Sequence, residues 1–161
     1  MILLRFSRFC CLSIVACGLL TAVPAAAQLR PVDDLRRIAA AARAQRAPVL
    51  IAFMQQTCPY CKVARRDYLL PLQNDPRWRG RVLIREIDVD RETRMQDFSG
   101  AVTSHRDFAR SQGVRTVPTL IAYDADGNAV APPIVGLLTE DFYRLYIEQI
   151  LEAGLIKMRG R

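Results

Sequence analysis

The residues best suited to chemistry in this sequence are two cysteines in the segment Cys58-Pro59-Tyr60-Cys61. Thiols three positions apart lie within one turn of a helix, so they can form and break a disulfide with each other. The apolar run from Val49 to Met54 comes shortly before them and is typical of a strand buried on both faces. The spacing therefore predicts a redox-active dithiol at a strand-to-helix turn.

Pro59 indicates where the helix begins, because proline is favoured at the first helical position and Cys58 then becomes the N-cap. A thiolate at that position faces unpaired amides and the positive end of the helix dipole, which stabilise it. We therefore expect Cys58 to be the nucleophile. Cys61, one turn later, is the expected resolving thiol, which attacks a mixed disulfide at Cys58 and releases the reduced substrate.

Two other roles for the cysteine pair remain open from the residues alone. A structural disulfide over four residues would stabilise the fold by only about 2 kcal/mol in the chain-entropy treatment. A zinc or copper site would need two more ligands, and beyond the N-terminal segment the chain has no other cysteine and one histidine, His105. We expect no metal and no separate cofactor, and we expect His105 to lie on the surface near a helix start.

The first 27 residues have the features of a secretory signal: two early arginines, an apolar run from Phe9 to Val23, and an Ala-x-Ala pattern ending at Ala27. Cleavage there would leave a domain of residues 28–161 outside the cytoplasm. An alternative is a lipoprotein box at residues 14–17, which would leave a lipid anchor on Cys17. Of the five cysteines, only Cys58 and Cys61 lie in the proposed mature domain.

The composition fits one folded domain. The chain has 161 residues, of which 51% are hydrophobic, and this excludes a multidomain enzyme and an intrinsically disordered protein. The formal net charge is +7, but the arginines are spread along the chain, so we expect no nucleic-acid partner. We expect a monomer.

The predicted order of elements is α, β, α, β, α, β, β, α. A helix over 31–45 precedes the first strand, the CPYC helix runs to about Leu70 and ends or kinks at Pro71, and a second strand covers 81–89. The two strands and their helix form a parallel βαβ unit. We interpret residues 90–103 as a loop or short helical insertion.

The second half of the chain is predicted to hold a helix, a hairpin and a last helix. The helix covers 104–112 with Ser104 as its cap, and the hairpin strands cover 116–123 and 129–136. Asp124, Asp126 and Asn128 between them favour a hairpin turn over a calcium loop, because the later calcium ligands are missing. The last helix starts at 139–141.

From Val49 to Leu151 the sequence resembles the thioredoxin-fold family, and in particular its periplasmic members. The matching features are the strand before CPYC, the CPYC motif itself, the segment Thr116-Val117-Pro118-Thr119 before a hairpin strand, and Val135-Gly136-Leu137-Leu138 before the last helix. The sequence is similar to thioredoxins associated with sulfur oxidation and to the C-terminal domain of membrane disulfide reductases. The resemblance implies an α/β fold with a central mixed sheet of about four strands flanked by helices, with an extra N-terminal helix.

The resemblance also implies that Pro118 is a cis proline facing the disulfide and that Val117 and Pro118 contact the substrate; an ordinary trans proline is the alternative. Two positions depart from related proteins. Ala52 stands where thioredoxins have a buried acid that assists the second cysteine, which leaves the proton route open. Gln55 replaces a lysine that contacts glutathione in glutaredoxins, so we do not expect glutathione specificity.

Together these features predict a periplasmic thiol-disulfide oxidoreductase that reduces disulfides in proteins or small molecules and is recharged by a membrane electron donor. Two alternative functions remain open. One is a disulfide-forming oxidase, and the other is a non-catalytic peptide-binding module or holdase of the same fold.

Overall fold

A computed structural model describes residues 28–137 and 139–160 of the chain. A mixed sheet lies at its centre, with the strands β1 (Val49–Met54), β2 (Leu83–Asp88), β5 (Thr119–Tyr123) and β6 (Ile134–Val135). Their order in the sheet is β2-β1-β5-β6. β2 runs parallel to β1, whereas β5 is antiparallel to β1 and to β6. The four-stranded mixed sheet and the parallel βαβ unit agree with the sequence prediction.

Helices cover both faces of this sheet. They are α1 (Leu35–Gln45), α2 (Pro59–Val63), a π-helical segment (Ala64–Leu69), α3 (Leu70–Asn74), α4 (His105–Ser111) and α5 (Glu140–Arg159). All six residues of β1 are buried, since β1 lies between two strands and between two helical layers. The side chain of Ala52 packs in the same cluster as Cys61 and Tyr143 of α5. The side chain of Ile51 lies on the other face of the sheet, in a cluster with residues of α1 and α4.

α1 confirms the predicted extra N-terminal helix. The carboxylate of Asp34 caps it by accepting a hydrogen bond from the Arg37 backbone N–H at 2.9 Å. The preceding segment lies along the open edge of β2, where Val32 N–H donates to Glu86 O and Glu86 N–H donates to Arg30 O, both at 2.9 Å. The N-terminal residues of the domain therefore protect the edge of the sheet.

The helix that begins at CPYC does not end at Pro71. It continues through the π-helical segment into α3 and ends at Asn74. In an α-helix the Pro71 ring would collide with the carbonyl four residues earlier. Here the preceding turn is wider, with Leu70 N–H donating to Arg65 O five residues back, and this turn makes room for the ring.

Two other predictions about local structure were wrong. Residues 90–103 contain no helix; β3 (Arg94–Gln96) pairs with β4 (Val102–Ser104) in a small antiparallel sheet. Only one residue of β3, Met95, is buried, so the pattern carries almost no strand signal. The last hairpin strand is also shorter than predicted, because Pro132 and Pro133 cannot donate to the ladder before β6.

α5 starts where the sequence predicted it, and Tyr143, Ile147 and Leu151 of its inner face are buried against the sheet. Within residues 28–137 and 139–160, no helix combines the length and the apolar character needed to cross a membrane. The predicted signal segment and Cys17 lie outside the described residues.

Candidate active site

The CPYC motif lies at the carboxyl end of β1, where the chain turns into α2. Cys58 has an extended backbone and is the N-cap of α2, and Pro59 is its first residue, as the sequence predicted. The sulfur of Cys58 accepts a hydrogen bond from the backbone N–H of Cys61 at 3.2 Å. An amide at the start of the helix is therefore directed at the sulfur expected to act as nucleophile.

The two thiols lie in different environments. Cys58 is partly exposed, whereas Cys61 is fully buried among the apolar side chains between the sheet and α5. Burial raises the pKa of the Cys61 thiol to about 12, and a hydrogen bond with Cys58 makes the second-largest contribution to this rise. At neutral pH an incoming disulfide therefore has access to Cys58, while Cys61 is held as a protonated thiol behind it.

The segment before β5 forms the opposite wall of the site. The thiol of Cys58 donates to the carbonyl oxygen of Val117 at 3.8 Å. The Val117–Pro118 peptide is cis, as the resemblance implies. Pro118 O accepts a hydrogen bond from Gly136 N–H at 2.7 Å, so the loop after β6 is attached to this wall. The structure thus brings together three segments that the sequence separates by about 80 residues.

The motif and the hairpin after Pro118 both carry apolar side chains that are open to solvent. Tyr60, the third residue of the motif, is 63% exposed, and Val135 of β6 is 49% exposed. Val117 and Leu137 are half-buried against the same core as Cys61. Exposed apolar side chains of this kind are suited to contact with a polypeptide.

Comparison with known proteins identifies the family. A family model described as a thioredoxin-like domain matches residues 35–151. The chain belongs to the thioredoxin-like family. None of the curated proteins compared with this thioredoxin-like protein matches it at a significant level.

Solved thioredoxin structures resemble this thioredoxin-like protein in fold. Oxidised thioredoxin O2 of Arabidopsis thaliana is 19% identical with a TM-score of 0.53, over 77% of this chain and 95% of that one. Mitochondrial thioredoxin 3 of Saccharomyces cerevisiae is 18% identical with a TM-score of 0.52, over 77% and 93%. A mutant thioredoxin of Halobacterium salinarum is 23% identical with a TM-score of 0.53, over 77% and 91%. At these identities the likeness shows a shared fold.

The thioredoxin-like site contains an ion pair that the sequence did not predict. Arg65 donates from Nε and Nη2 to the two carboxylate oxygens of Glu86, at 2.9 and 2.6 Å. Glu86 on β2 is the register partner of Ala52 on β1. An acid is therefore present beside the position where thioredoxins have one, but it belongs to the neighbouring strand. Only the sheet register could have revealed this.

His105 is not on the surface, and that prediction was wrong. The side chain is buried, its Nδ1 accepts from the backbone N–H of Asp88 at 3.2 Å, and its Nε2 lies 2.7 Å from Val32 O. Because Nδ1 accepts, Nε2 carries the proton and donates. His105 therefore connects α4 to β2 and to the N-terminal segment, and it takes a structural role in this thioredoxin-like protein.

The acidic turn between β5 and β6 is a hairpin turn, as predicted. One carboxylate oxygen of Asp124 accepts from the backbone N–H groups of Asp126 and Asn128, and the other lies 3.1 Å from the Lys157 ammonium. Among the residues that the structure describes, no three His, Cys, Asp or Glu side chains are grouped as metal ligands.

Proposed function

We propose that this protein is a periplasmic thiol-disulfide oxidoreductase that reduces disulfides in proteins or small molecules through Cys58 and Cys61. Membership of the thioredoxin-like family supports the general activity. The observation that carries the proposal is the unequal pair: a partly exposed N-cap sulfur that accepts the Cys61 amide at 3.2 Å, backed by a buried thiol. A structural disulfide would have no need of an accessible sulfur at a helix N-terminus.

The proposed reaction has two exchanges. The Cys58 thiolate attacks one sulfur of the substrate disulfide, the other sulfur leaves as a thiolate, and a mixed disulfide forms at Cys58. Cys61 then loses its proton and attacks Cys58 Sγ. The second substrate thiolate leaves, and the Cys58–Cys61 disulfide forms. Two electrons have passed to the substrate, so an external dithiol must reduce the protein again.

Val117 and Pro118 are the proposed substrate contacts. The backbone of Val117 lies beside Cys58, with its carbonyl oxygen 3.8 Å from the sulfur. An extended substrate segment placed there would bind the backbone as an added strand does, and its side chains would meet the apolar surface around Cys58. This arrangement favours disulfide-containing proteins as substrates.

The location and the electron donor are part of the proposal. The features of residues 1–27 support export, and an oxidising compartment would require a donor to keep the pair reduced. We propose that a membrane protein supplies these electrons to a monomeric domain of residues 28–161.

The reduction potential of the purified protein tests the proposal. It is measured by titration against defined ratios of reduced and oxidised dithiol, with mass-tagging of free thiols. We expect a value of about −200 mV or lower, as in reducing members of the fold. A value of about −120 mV would assign the protein to the disulfide-forming oxidases instead. A variant with both cysteines changed to Ser that still protects unfolded clients would support the peptide-binding alternative.

A further inference from the structure

The resolving exchange needs a group that helps Cys61 lose its proton. Its thiol is fully buried, and the neighbouring position on β1 that holds an acid in thioredoxins is the buried alanine Ala52. The titratable groups that act on the thiol come from two elements packed against it. They are Cys58 and Arg65 from the CPYC helix and its π-helical extension, and Tyr143 from α5.

Arg65 is the one cation in this set. Burial raises the pKa of the Cys61 thiol most, and Cys58 raises it further through a hydrogen bond and through its charge; a hydrogen bond with the Gln55 backbone lowers it, and the charge of Arg65 lowers it to a smaller extent. Tyr143 is buried in contact with Tyr68, at 5.0 Å between ring centroids, and burial raises the pKa of its phenol. A neutral phenol cannot act as a base near neutral pH, so Arg65 is the charged side chain of this set that favours the Cys61 thiolate.

The structure holds Arg65 in a defined place. It follows Cys61 by four residues, which puts both on one side of the helix. The two hydrogen bonds to Glu86 keep the guanidinium against the sheet. Both side chains are mostly buried, at 24% and 17% exposure, so solvent screens their charges less than it screens a surface pair.

We propose that Arg65, positioned by Glu86, stabilises the Cys61 thiolate during the resolving exchange. Arg65 thereby takes the role of the acidic residue that thioredoxins have at the position of Ala52. This inference rests on the proposed function. The electron pair left on Cys61 forms the new bond to Cys58, and the bond from Cys58 to the substrate breaks. The Cys61 proton passes to water, and the departing substrate thiolate takes a proton from solvent.

A cavity lies against the Arg65–Glu86 ion pair. It has a volume of about 340 Å³ and is lined by the Arg65–Glu86 pair, Gln56, Leu29 and Gln28. Its polar lining offers water hydrogen-bond partners beside the guanidinium and the carboxylate. Cys61 is not among the lining residues, so the cavity opens on the ion pair and not on the thiol.

An ion pair that only fastens the helix to the sheet would have the same contacts, so the test needs a matched control. The pair between Arg144 of α5 and Asp75 provides one, because its oxygen and nitrogen are 2.6 Å apart and its side chains are 34% and 15% exposed. Neither Arg144 nor Asp75 is among the groups that shift the pKa of the Cys61 thiol. Arg144→Gln therefore removes a partly buried ion pair without removing the charge near the thiol, and Asp75 keeps Arg77 as a partner at 2.8 Å.

The reaction of the reduced protein with 5,5′-dithiobis(2-nitrobenzoate) separates the two exchanges. The first thionitrobenzoate is released when Cys58 attacks the reagent, and the second is released when Cys61 resolves the mixed disulfide. Stopped-flow absorbance from pH 5 to pH 10 gives the rate of each phase and its dependence on pH. The variants are Arg65→Gln, Arg65→Lys, Arg144→Gln and the double variant Arg65→Gln with Glu86→Gln.

In Arg65→Gln we expect an unchanged first phase and a second phase slowed about tenfold at pH 7, which reaches the wild-type rate only at a higher pH. Arg65→Lys should recover much of the rate, and Arg144→Gln should match the wild type. The double variant should remain slow, since the cation is still missing. This last variant also avoids leaving Glu86 as an unpaired, partly buried charge.

Three results would overturn the inference. They are a second phase in Arg65→Gln with the wild-type rate and pH dependence, an equal slowing in Arg144→Gln, and recovery of the wild-type rate in the double variant. The last of these would assign the effect to the unpaired carboxylate of Glu86. Absence of a second phase in the wild-type protein is distinguishable, because it would overturn the proposed function itself.

Discussion

The backbone N–H of Cys61 donates to the sulfur of Cys58 at 3.2 Å, while the thiol of Cys61 itself is fully buried. The same residue therefore directs its amide at the sulfur of Cys58, the proposed nucleophile, and keeps its own sulfur away from solvent. This difference in exposure and hydrogen bonding explains how two identical side chains, three positions apart, can take different parts in one reaction.

The first prediction concerns thiol reactivity. In the reduced protein at pH 7, iodoacetamide should label Cys58 and leave Cys61 unmodified, because Cys61 is buried and its pKa is raised to about 12. Peptide mapping by mass spectrometry after timed quenching measures both sites. In Cys61→Ser the labelling of Cys58 should persist. Equal labelling of both thiols in the folded protein would contradict the burial of Cys61.

The second prediction concerns alkaline stability of the reduced protein. Burial raises the pKa of Cys61 from about 9 to about 12, so its contribution to stability is complete below the lower value. That contribution is lost as the pH rises between the two values, because the unfolded state ionises the thiol first. Urea unfolding of the reduced wild type and of Cys61→Ala should therefore give a difference in unfolding free energy that falls between these pH values. Buried tyrosines titrate in both proteins, so the difference isolates the thiol.

The third prediction concerns His105. Replacing it with Ala should destabilise the protein by roughly 2–4 kcal/mol, because the buried backbone N–H of Asp88 and carbonyl of Val32 lose their partner. Chemical denaturation measures the change. Labelling of Cys58 by iodoacetamide should keep its wild-type rate in the folded variant. A stable variant with slowed labelling would instead give His105 a part in the chemistry.

The fourth prediction concerns Asp124. Burial alone would raise its pKa, but hydrogen bonds from the Asn128 and Asp126 backbone and from Lys157 hold it below the usual value. Its stabilising effect is therefore present at neutral pH and is lost as the pH falls through the lowered pKa. Asp124→Asn should lower the free energy of unfolding at pH 7 by about 1–3 kcal/mol. Asp126→Asn, in the same turn but exposed, should lower it less; equal losses would contradict the burial argument.

The fifth prediction concerns export. Expression of the full chain in a Gram-negative host should yield a periplasmic protein whose mass corresponds to an N-terminus at Gln28. Intact-mass spectrometry of the periplasmic and membrane fractions measures this. Recovery in the membrane fraction with a lipid on Cys17 would support the alternative anchor, and recovery of the uncleaved chain in the cytoplasm would contradict export.

The features that the sequence determined by itself depend on neighbours along the chain. Pro59 sets the first turn of α2 and so makes Cys58 its cap, and Ser104 caps α4 by accepting from Asp107 N–H at 3.1 Å. The run Val49–Met54 is buried on both faces, as its composition indicated. Caps and hydrophobic runs involve only a few consecutive residues, so their interactions can be inferred without knowing the fold. The motifs therefore led to the correct family and to the cysteine pair.

Only the tertiary structure decided what surrounds that pair. Glu86 stands beside Ala52 because β1 and β2 pair in one particular register, and a shift by one residue would have turned it to the other face of the sheet. His105 has a polar side chain at a helix start, and its burial depends on partners 17 and 73 residues away. Contacts of this range leave no periodic trace in the sequence. The charged groups near Cys61 therefore depend on the folded sheet and not on the CPYC motif alone.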